Sequence, residues 1–374
     1  MTCVTRSCIE TAPPGSRLLG GSRKARMLRN LRGWFKKAVS TGLAIGRSQK
    51  EGRGRFLTAR FKDPRASNAL GFRLRRDLAY RLFLPSGSSR RDTLPLIVML
   101  HGCKQNALIF ANGTRMNALA EEYRCAVLYP EQSKHSNPLR CWNWFESASL
   151  AGQGEAELIA RLIEQVAERR PIDPRRVYVV GMSAGGAMAC LLGVRHSRLF
   201  AGCAVHSGLM YGAASSSMQA LAAMRSGPSA SSIAEARRVA CVAGESEFMV
   251  PTLVIHGDGD TTVNPANADR IIEQLKARAE TVDPGPFSAA PERRFEAGGR
   301  SYRQQDYSQR GRIVLCKVLV EGLGHAWSGG DSRYEFNEAG GPDATRLILD
   351  FVMQYGRRTA WESGVAMIMR TGEG

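Results

Sequence analysis

Apolar positions along the chain follow two periods, and their alternation lays out a fold. Pro95 to Leu100 (PLIVML) is an unbroken apolar run, the pattern of a strand buried on both faces of a parallel sheet. Ala79–Leu84, Ala126–Tyr129, Val177–Gly181, Ala201–Val205, Thr252–His256 and Ile313–Val320 read as further strands, the first of them the second arm of an edge hairpin. Helical spacing lies between them, over residues 115–123, 155–169, 267–278 and 344–355. The second of these helices carries apolar side chains at 158, 159, 162, 163 and 166. Residues 212–248 form an insertion of small residues suited to capping a site, and 280–311 are polar and irregular. Strands alternating with helices predict an α/β fold, a mainly parallel central sheet flanked by helices with right-handed crossovers.

The chemistry is concentrated where one strand meets one helix. Val177–Gly181 runs straight into Gly181-Met182-Ser183-Ala184-Gly185, and an Ala/Met/Leu-rich helix pattern follows without a break. This is the nucleophile elbow of an α/β-hydrolase: small residues let the backbones approach, and a serine hydroxyl projects from the tight turn. A bare Gly-x-Ser-x-Gly also fits an ordinary βα turn, so the partners decide. In this fold the nucleophile is followed in the chain by an acid and then a histidine, each just beyond a strand, and Ser183, Asp260 and His325 meet that order. His325 would take the proton of Ser183, and Asp260 would hold the imidazole tautomer. Asp258 competes for the acid position and His206 and His256 for the base; Asp260 and His325 are preferred. The backbone N–H of Ala184 and that of Cys103, with His101 supporting its loop, are the expected oxyanion donors. Trp142, Trp144, Trp327 and His206 are the candidates to contact substrate. For Trp142 and Trp144, packing in the core is an equally good reading.

Composition adds bounds. The 374 residues are 43% hydrophobic, which supports a full α/β core plus an extension. The formal charge of +18 is uneven, since residues 1–60 hold 14 Lys and Arg against only Glu10 and Glu51. No nucleic-acid partner is expected, because the basic excess lies in the extension and no reader motif accompanies it. Leu28, Leu31, Trp34, Phe35 and Leu43, with Arg and Lys on other faces, predict a cationic amphipathic helix at about residues 26–43. It would lie on an anionic or lipid-like surface, or else pack as a solvated helix on the domain. No apolar run approaches the roughly 18 residues of a membrane span. Nine cysteines occur singly without a C-x-x-C, and six histidines show no ligand spacing, so neither metal nor cofactor is expected. Residues 1–26 lack the apolar stretch of a secretory signal. A cytoplasmic location follows as the expectation, with non-classical export or a start at Met27 as alternatives. The expected organisation is a basic, partly disordered extension (1–60), a linker (61–76), a catalytic domain (77–357) and a tail (358–374).

Eight blocks in order carry a resemblance: LPLIVMLHGCKQN, NALAEEYRCAVLYPEQS, CWNWF, GEAELI, IDPRRVYVVGMSAGGAMA, VHSGL, PTLVIHGDGDTTVNPANA and GHAWSGG. Over about residues 77–356 the chain resembles the esterase family of poly(3-hydroxybutyrate) depolymerases, and among them the intracellular members that act on storage granules. The resemblance implies hydrolysis of 3-hydroxybutyrate esters through an acyl-enzyme, with Ser183, Asp260 and His325 as triad and His101 and Cys103 in the oxyanion region. It further implies a polyester granule as substrate, with the granule surface or its coat proteins met by residues 26–43. Cys103 and Cys141 correspond to cysteines that pair in this family, although a reducing cytoplasm would leave both as thiols. Feruloyl and acetyl-xylan esterases share the family, so a short carbohydrate ester is an alternative substrate. A surface-binding protein with an idle hydrolase domain is a further alternative.

Overall fold

A computed structural model describes residues 54–63, 77–228 and 249–357, together with position 234. The amphipathic segment 26–43, most of the extension, residues 64–76, much of the 212–248 insertion and the tail 358–374 lie outside the described residues. In chain order the strands are β1 (Arg55–Lys62), β2 (Asp77–Leu84), β3 (Leu94–Leu100), β4 (Ala126–Glu131), β5 (Ile172–Met182), β6 (Gly202–His206) and β7 (Thr252–Gly257), followed by β8 (Phe287–Ala289), β9 (Arg293–Ala297), β10 (Arg300–Gln309) and β11 (Arg312–Val320). The helices that matter for the site are α1 (Ala107–Thr114), α2 (Met116–Glu122), α3 (Ser147–Leu150), α4 (Gly154–Arg169), α5 (Ala184–Arg195), α6 (Ser217–Ser226), α7 (Ala266–Val282) and α8 (Ala344–Val352).

Among the described residues these eleven strands join one sheet in the order β1-β2-β4-β3-β5-β6-β7-β11-β10-β8, with β9 also paired to β10, and a separate parallel pair joins Trp327–Ser328 to Asn337–Glu338. From β4 to β11 neighbouring strands run parallel. The chain leaves β3 for β4 on one side and then crosses back to β5 on the other. A crevice therefore opens beyond the carboxyl ends of β3 and β5, where ligands bind in sheets of this kind. This is the architecture of an α/β-hydrolase.

The apolar run predicted for β3 is buried along its whole length, and its side chains alternate between two cores. Leu96, Val98 and Leu100 face the layer of α4, α5 and α7, where Ile159, Leu162, Met188 and Ile271 pack. Ile97 and Met99 face α1, α2 and α8, meeting Phe110, Leu119 and Ile348. Burying each such side chain contributes roughly 1.5 to 3 kcal/mol, which fixes the register of the central strands and with it the positions of the loops that follow them.

Three sequence expectations need correction. Residues 55–62, placed in the extension and linker, form β1, paired from Arg55↔Leu84 to Lys62↔Asp77. Their basic residues misled the reading, because on an edge strand charged residues take the outward positions and discourage further pairing. Residues 280–311 are not irregular: β8, β9 and β10 extend the sheet as an antiparallel ribbon from β11. A ribbon that is only half covered alternates polar with apolar residues and so lacks the apolar run of a central strand. The helix expected at 115–123 is preceded by α1, from which it is separated by Arg115 at φ 54°.

Candidate active site

Between the last residue of β5 and the first of α5 stands Ser183 alone, at φ 56° and ψ −122°. A side chain in that conformation is strained, and the neighbours show why the turn can be no wider. A Cβ on Gly181 would lie 2.0 Å from the Gly185 carbonyl oxygen, and one on Gly185 would lie 2.0 Å from that of Leu100. Glycine is required at both places. The Ser183 N–H donates to the His206 carbonyl at 2.9 Å, tying the turn to β6. Ala184 opens α5, so its N–H has no partner within the helix and is free to face an anion.

The loop after β3 lies against this turn, with a Cβ on Gly102 placed 3.4 Å from that of Ser183. His101, buried under the loop, is held at both nitrogens. The Gln132 N–H donates to Nε2 at 3.1 Å, which leaves the proton on Nδ1 to be donated to the Gly102 carbonyl at 2.8 Å. Fixing that carbonyl fixes the Gly102–Cys103 peptide, and so the direction of the Cys103 N–H. Two more ties anchor the loop to residues 139–141: a Cys103–Cys141 disulfide, as the family resemblance implied, and the Lys104 N–H donated to Leu139 at 2.6 Å. Gln105 closes the loop by accepting from the Gly102 N–H at 2.9 Å.

The other two predicted residues meet. His325 Nδ1 lies 2.7 Å from Asp260 Oδ2. Asp260 Oδ1 accepts from the N–H groups of Thr262 at 2.9 Å and Val263 at 2.8 Å. Burial alone would raise the Asp260 pKa. Hydrogen bonds from His256 and His325, the charge of His325 and the Val263 N–H outweigh it and hold the carboxyl well below the usual carboxylate range. The competition among candidates is resolved by contact. Asp258 turns away, its Oδ1 accepting from the Gly322 N–H at 2.7 Å, and so pins the start of the His325 loop. His256 is fully buried and spends Nε2 on the Val263 carbonyl at 2.9 Å, with Asp260 Oδ2 at 3.4 Å. It approaches the same carboxylate oxygen as His325 and so helps to hold the acid.

Of the substrate-contacting candidates, His206 and Trp327 are placed differently from expectation, and Trp142 and Trp144 follow the core-packing alternative. His206 and Trp327 are both 0% exposed and stacked on each other at 4.9 Å between ring centroids. His206 Nε2 takes the Ser328 N–H at 3.4 Å, and the Trp327 indole N–H donates to Thr345 at 3.1 Å. Neither lines an open pocket; together they support the His325 loop from beneath. Trp142 and Trp144 are also buried, Trp142 against the ring of His101 at 5.5 Å and Trp144 edge-on to Phe145. A buried indole removes roughly 150 to 250 Å² from water, and that gain places all three tryptophans in the core. Sequence reasoning missed Gln105, Gln132 and Phe336. Phe336 adopts φ 63° and sets its ring edge-on to His325 at 6.3 Å. Only its positive φ sets it apart, and no spacing rule reveals that.

The buried histidines carry a pH dependence. Burial pushes His101 down to about 4, and burial together with the nearby His256 and His325 pushes His206 down to about 3. In the unfolded chain both rings take up a proton near pH 6.5. The unfolded state therefore binds more protons between about pH 6.5 and 4. Stability is full at neutral pH and falls on acidification through that window, by up to about 1.4 kcal/mol per pH unit for each ring. Urea unfolding compared at about pH 7 and pH 5 is expected to show a loss of about 4 kcal/mol. Equal midpoints would count against two neutral buried rings.

Comparison with known proteins fits this geometry. Residues 78–298 match the family described as Esterase PHB depolymerase. The chain is 35% identical over 246 residues to a poly(3-hydroxyalkanoate) depolymerase C of Paucimonas lemoignei, covering 65% of this chain and 56% of that one. It is 28% identical over 180 residues to an acetylxylan esterase A of Talaromyces purpureogenus, covering 46% of each. The chain thus spans about half the length of these curated relatives. A solved acetyl xylan esterase from Aspergillus awamori superposes with a TM-score of 0.61 at 17% identity, over 79% of this chain and 99% of that one, which is likeness of fold. No helix among the described residues is long and apolar enough to cross a membrane. With an elbow serine, an acid bonded to a histidine and a family match over more than half of its length, the chain belongs to the Esterase PHB depolymerase family.

Proposed function

We propose that the chain is a serine esterase that cleaves 3-hydroxybutyrate ester bonds of poly(3-hydroxybutyrate) or its oligomers through an acyl-enzyme. The observations that carry the chemistry are the 2.7 Å bond from His325 to a buried Asp260 and, separately, the strained turn that presents Ser183. The Ser183 hydroxyl attacks the ester carbonyl and gives its proton to His325 Nε2, while Asp260 holds Nδ1–H and stabilises the imidazolium. The N–H groups of Ala184 and Cys103 receive the oxyanion. His325 returns the proton to the leaving hydroxyl group, and water then releases the acyl group by the same steps in reverse.

The substrate is supported by the 35% identity to a protein named as a polyhydroxyalkanoate depolymerase. A second reading, a short-chain or acetyl-xylan-type esterase, draws on the relatives named acetylxylan esterases. Hydrolysis rates on amorphous poly(3-hydroxybutyrate), its oligomers and acetylated or feruloylated sugars, measured with one preparation, separate the two. Turnover of the sugars alone would move the assignment to the second.

For the compartment, a closed Cys103–Cys141 bridge favours an oxidising space over the cytoplasm expected from the N-terminal sequence. Thiol mapping of the protein taken from its source cells without reductant tests this. An open pair would return it to the cytoplasm.

A further inference from the structure

Beneath the loop that carries Cys141 lies a carboxylate with no part in the chemistry above. Glu155 stands in the first turn of α4, mostly buried, and among the described residues it forms no ion pair. Every hydrogen bond it makes is accepted. Its Oε1 takes the side-chain amides of Gln132 at 2.6 Å and Asn143 at 2.9 Å, and its Oε2 takes the Asn143 main-chain N–H at 2.8 Å. Burial raises its pKa, the three donors oppose that, and the neighbouring Glu146 charge adds to the rise. A buried charge without a counter-ion is costly, and the donors that offset the cost are the residues that reach the oxyanion loop.

Two routes lead there. Gln132, held by Glu155 through its side chain, also donates to the Cys141 carbonyl at 3.1 Å and gives its main-chain N–H to His101 Nε2 at 3.1 Å. His101 in turn holds the Gly102 carbonyl. Asn143, held at both its nitrogens, fixes the chain two residues beyond Cys141, whose sulfur is bonded to Cys103. Both anchors of the Gly102–Cys103 peptide therefore converge on one side chain.

We infer that Glu155 is a positioning residue for the oxyanion hole, its carboxylate setting through Gln132 and Asn143 the direction of the Cys103 N–H. The inference rests on the serine-esterase reading of Ser183, Asp260 and His325. It gives a specific reason why glutamine cannot replace the acid. An amide offers one acceptor oxygen and one NH₂, so whichever way it turns, donor faces donor at Gln132 and Asn143 or at the Asn143 N–H. A hole displaced by a fraction of an ångström still admits the ester but stabilises the tetrahedral state less, so the loss should fall on kcat while KM holds.

The test is Glu155→Gln, assayed on a soluble short-chain ester. The expected result is a kcat lower by about 10²-fold with KM nearly unchanged. Affinity for a trifluoromethyl ketone, which mimics the tetrahedral state, should fall by the same factor, while fluorophosphonate labelling still goes to completion. A loss of stability alone, with kcat and inhibitor affinity of the folded protein retained, overturns the inference and leaves Glu155 an anchor of the fold. Should the variant fail to fold, Gln132→Ala removes one tether only and is read the same way: lower kcat at constant KM supports the inference, and unchanged kcat overturns it. A wild-type chain that fluorophosphonate does not label overturns the esterase reading and this inference with it. A labelled wild type beside a fully active Glu155→Gln variant overturns only the inference.

Discussion

Replacing Ser183 with alanine is expected to lower kcat by on the order of 10⁶-fold and to abolish labelling by a fluorophosphonate. The size of the effect follows from the proposed mechanism, in which Ser183, His325 and Asp260 act as a unit. Without the hydroxyl there is no acyl-enzyme, and the Asp260–His325 pair has no proton to take. The Ala184 and Cys103 donors remain, so a residual rate above that in water should persist. Folding should be unharmed, since alanine keeps the same Cβ at φ 56° and the Ser183 hydroxyl makes no capping bond to α5. Labelling that survives in a folded Ser183→Ala protein would put the nucleophile elsewhere.

The second large effect is expected at Asp260. In Asp260→Asn the amide oxygen keeps the Thr262 and Val263 N–H groups, which leaves the NH₂ facing His325 Nδ1. The imidazole must then accept at Nδ1 and carry its proton on Nε2, the nitrogen meant to receive the serine proton. An inverted tautomer of this kind costs about 10⁴-fold in kcat. The same NH₂ would also oppose the His256 Nε2–H, 3.4 Å from the carboxylate oxygen, so some stability should be lost as well. Asp258→Asn should be mild, because its partner is the Gly322 N–H and an amide oxygen accepts that bond too. Measuring kcat for both variants on one soluble ester ranks them, and the reverse order would undo the assignment of the acid.

What the sequence made legible follows from what kind of force acted on each stretch. The central strands are buried on both faces, so Leu94–Leu100 and Val177–Met182 show as unbroken apolar runs bounded by polar residues. Gly181 and Gly185 are demanded by backbone approaches of 2.0 Å and sit at fixed offsets from Ser183, so the elbow is readable by eye. Asp260 and His325 could be ranked because Asp260 stands at the far side of the turn after its strand and His325 lies in a glycine-bearing loop after the last strand that the sequence predicts. Polar edge strands could not be read so well. In Arg55–Lys62 and Arg293–Gln309, charge alternates with modest apolar residues, and the pairing partner decides the conformation. The burial of His206 and Trp327 was likewise hidden, since a stacked pair so far apart in the chain leaves no local mark. The same holds for Glu155, Gln132 and His101, which lie in three different elements or loops and are joined only in space.

The order in which the sheet closes has a bearing on the biosynthesis of the protein. Ser183 follows β5 and Asp260 follows β7, but His325 is delivered by β11, which joins β7 only after the ribbon of β8, β9 and β10 has been made. Chains grow from the N-terminus, so the residues of the elbow are synthesised well before the histidine proposed as their base. On the proposed mechanism, a chain ending before His325 should be silent toward esters. The proposed triad is complete only where Leu315–Val320 pairs with Thr252–Gly257 and the Gly322 N–H reaches Asp258.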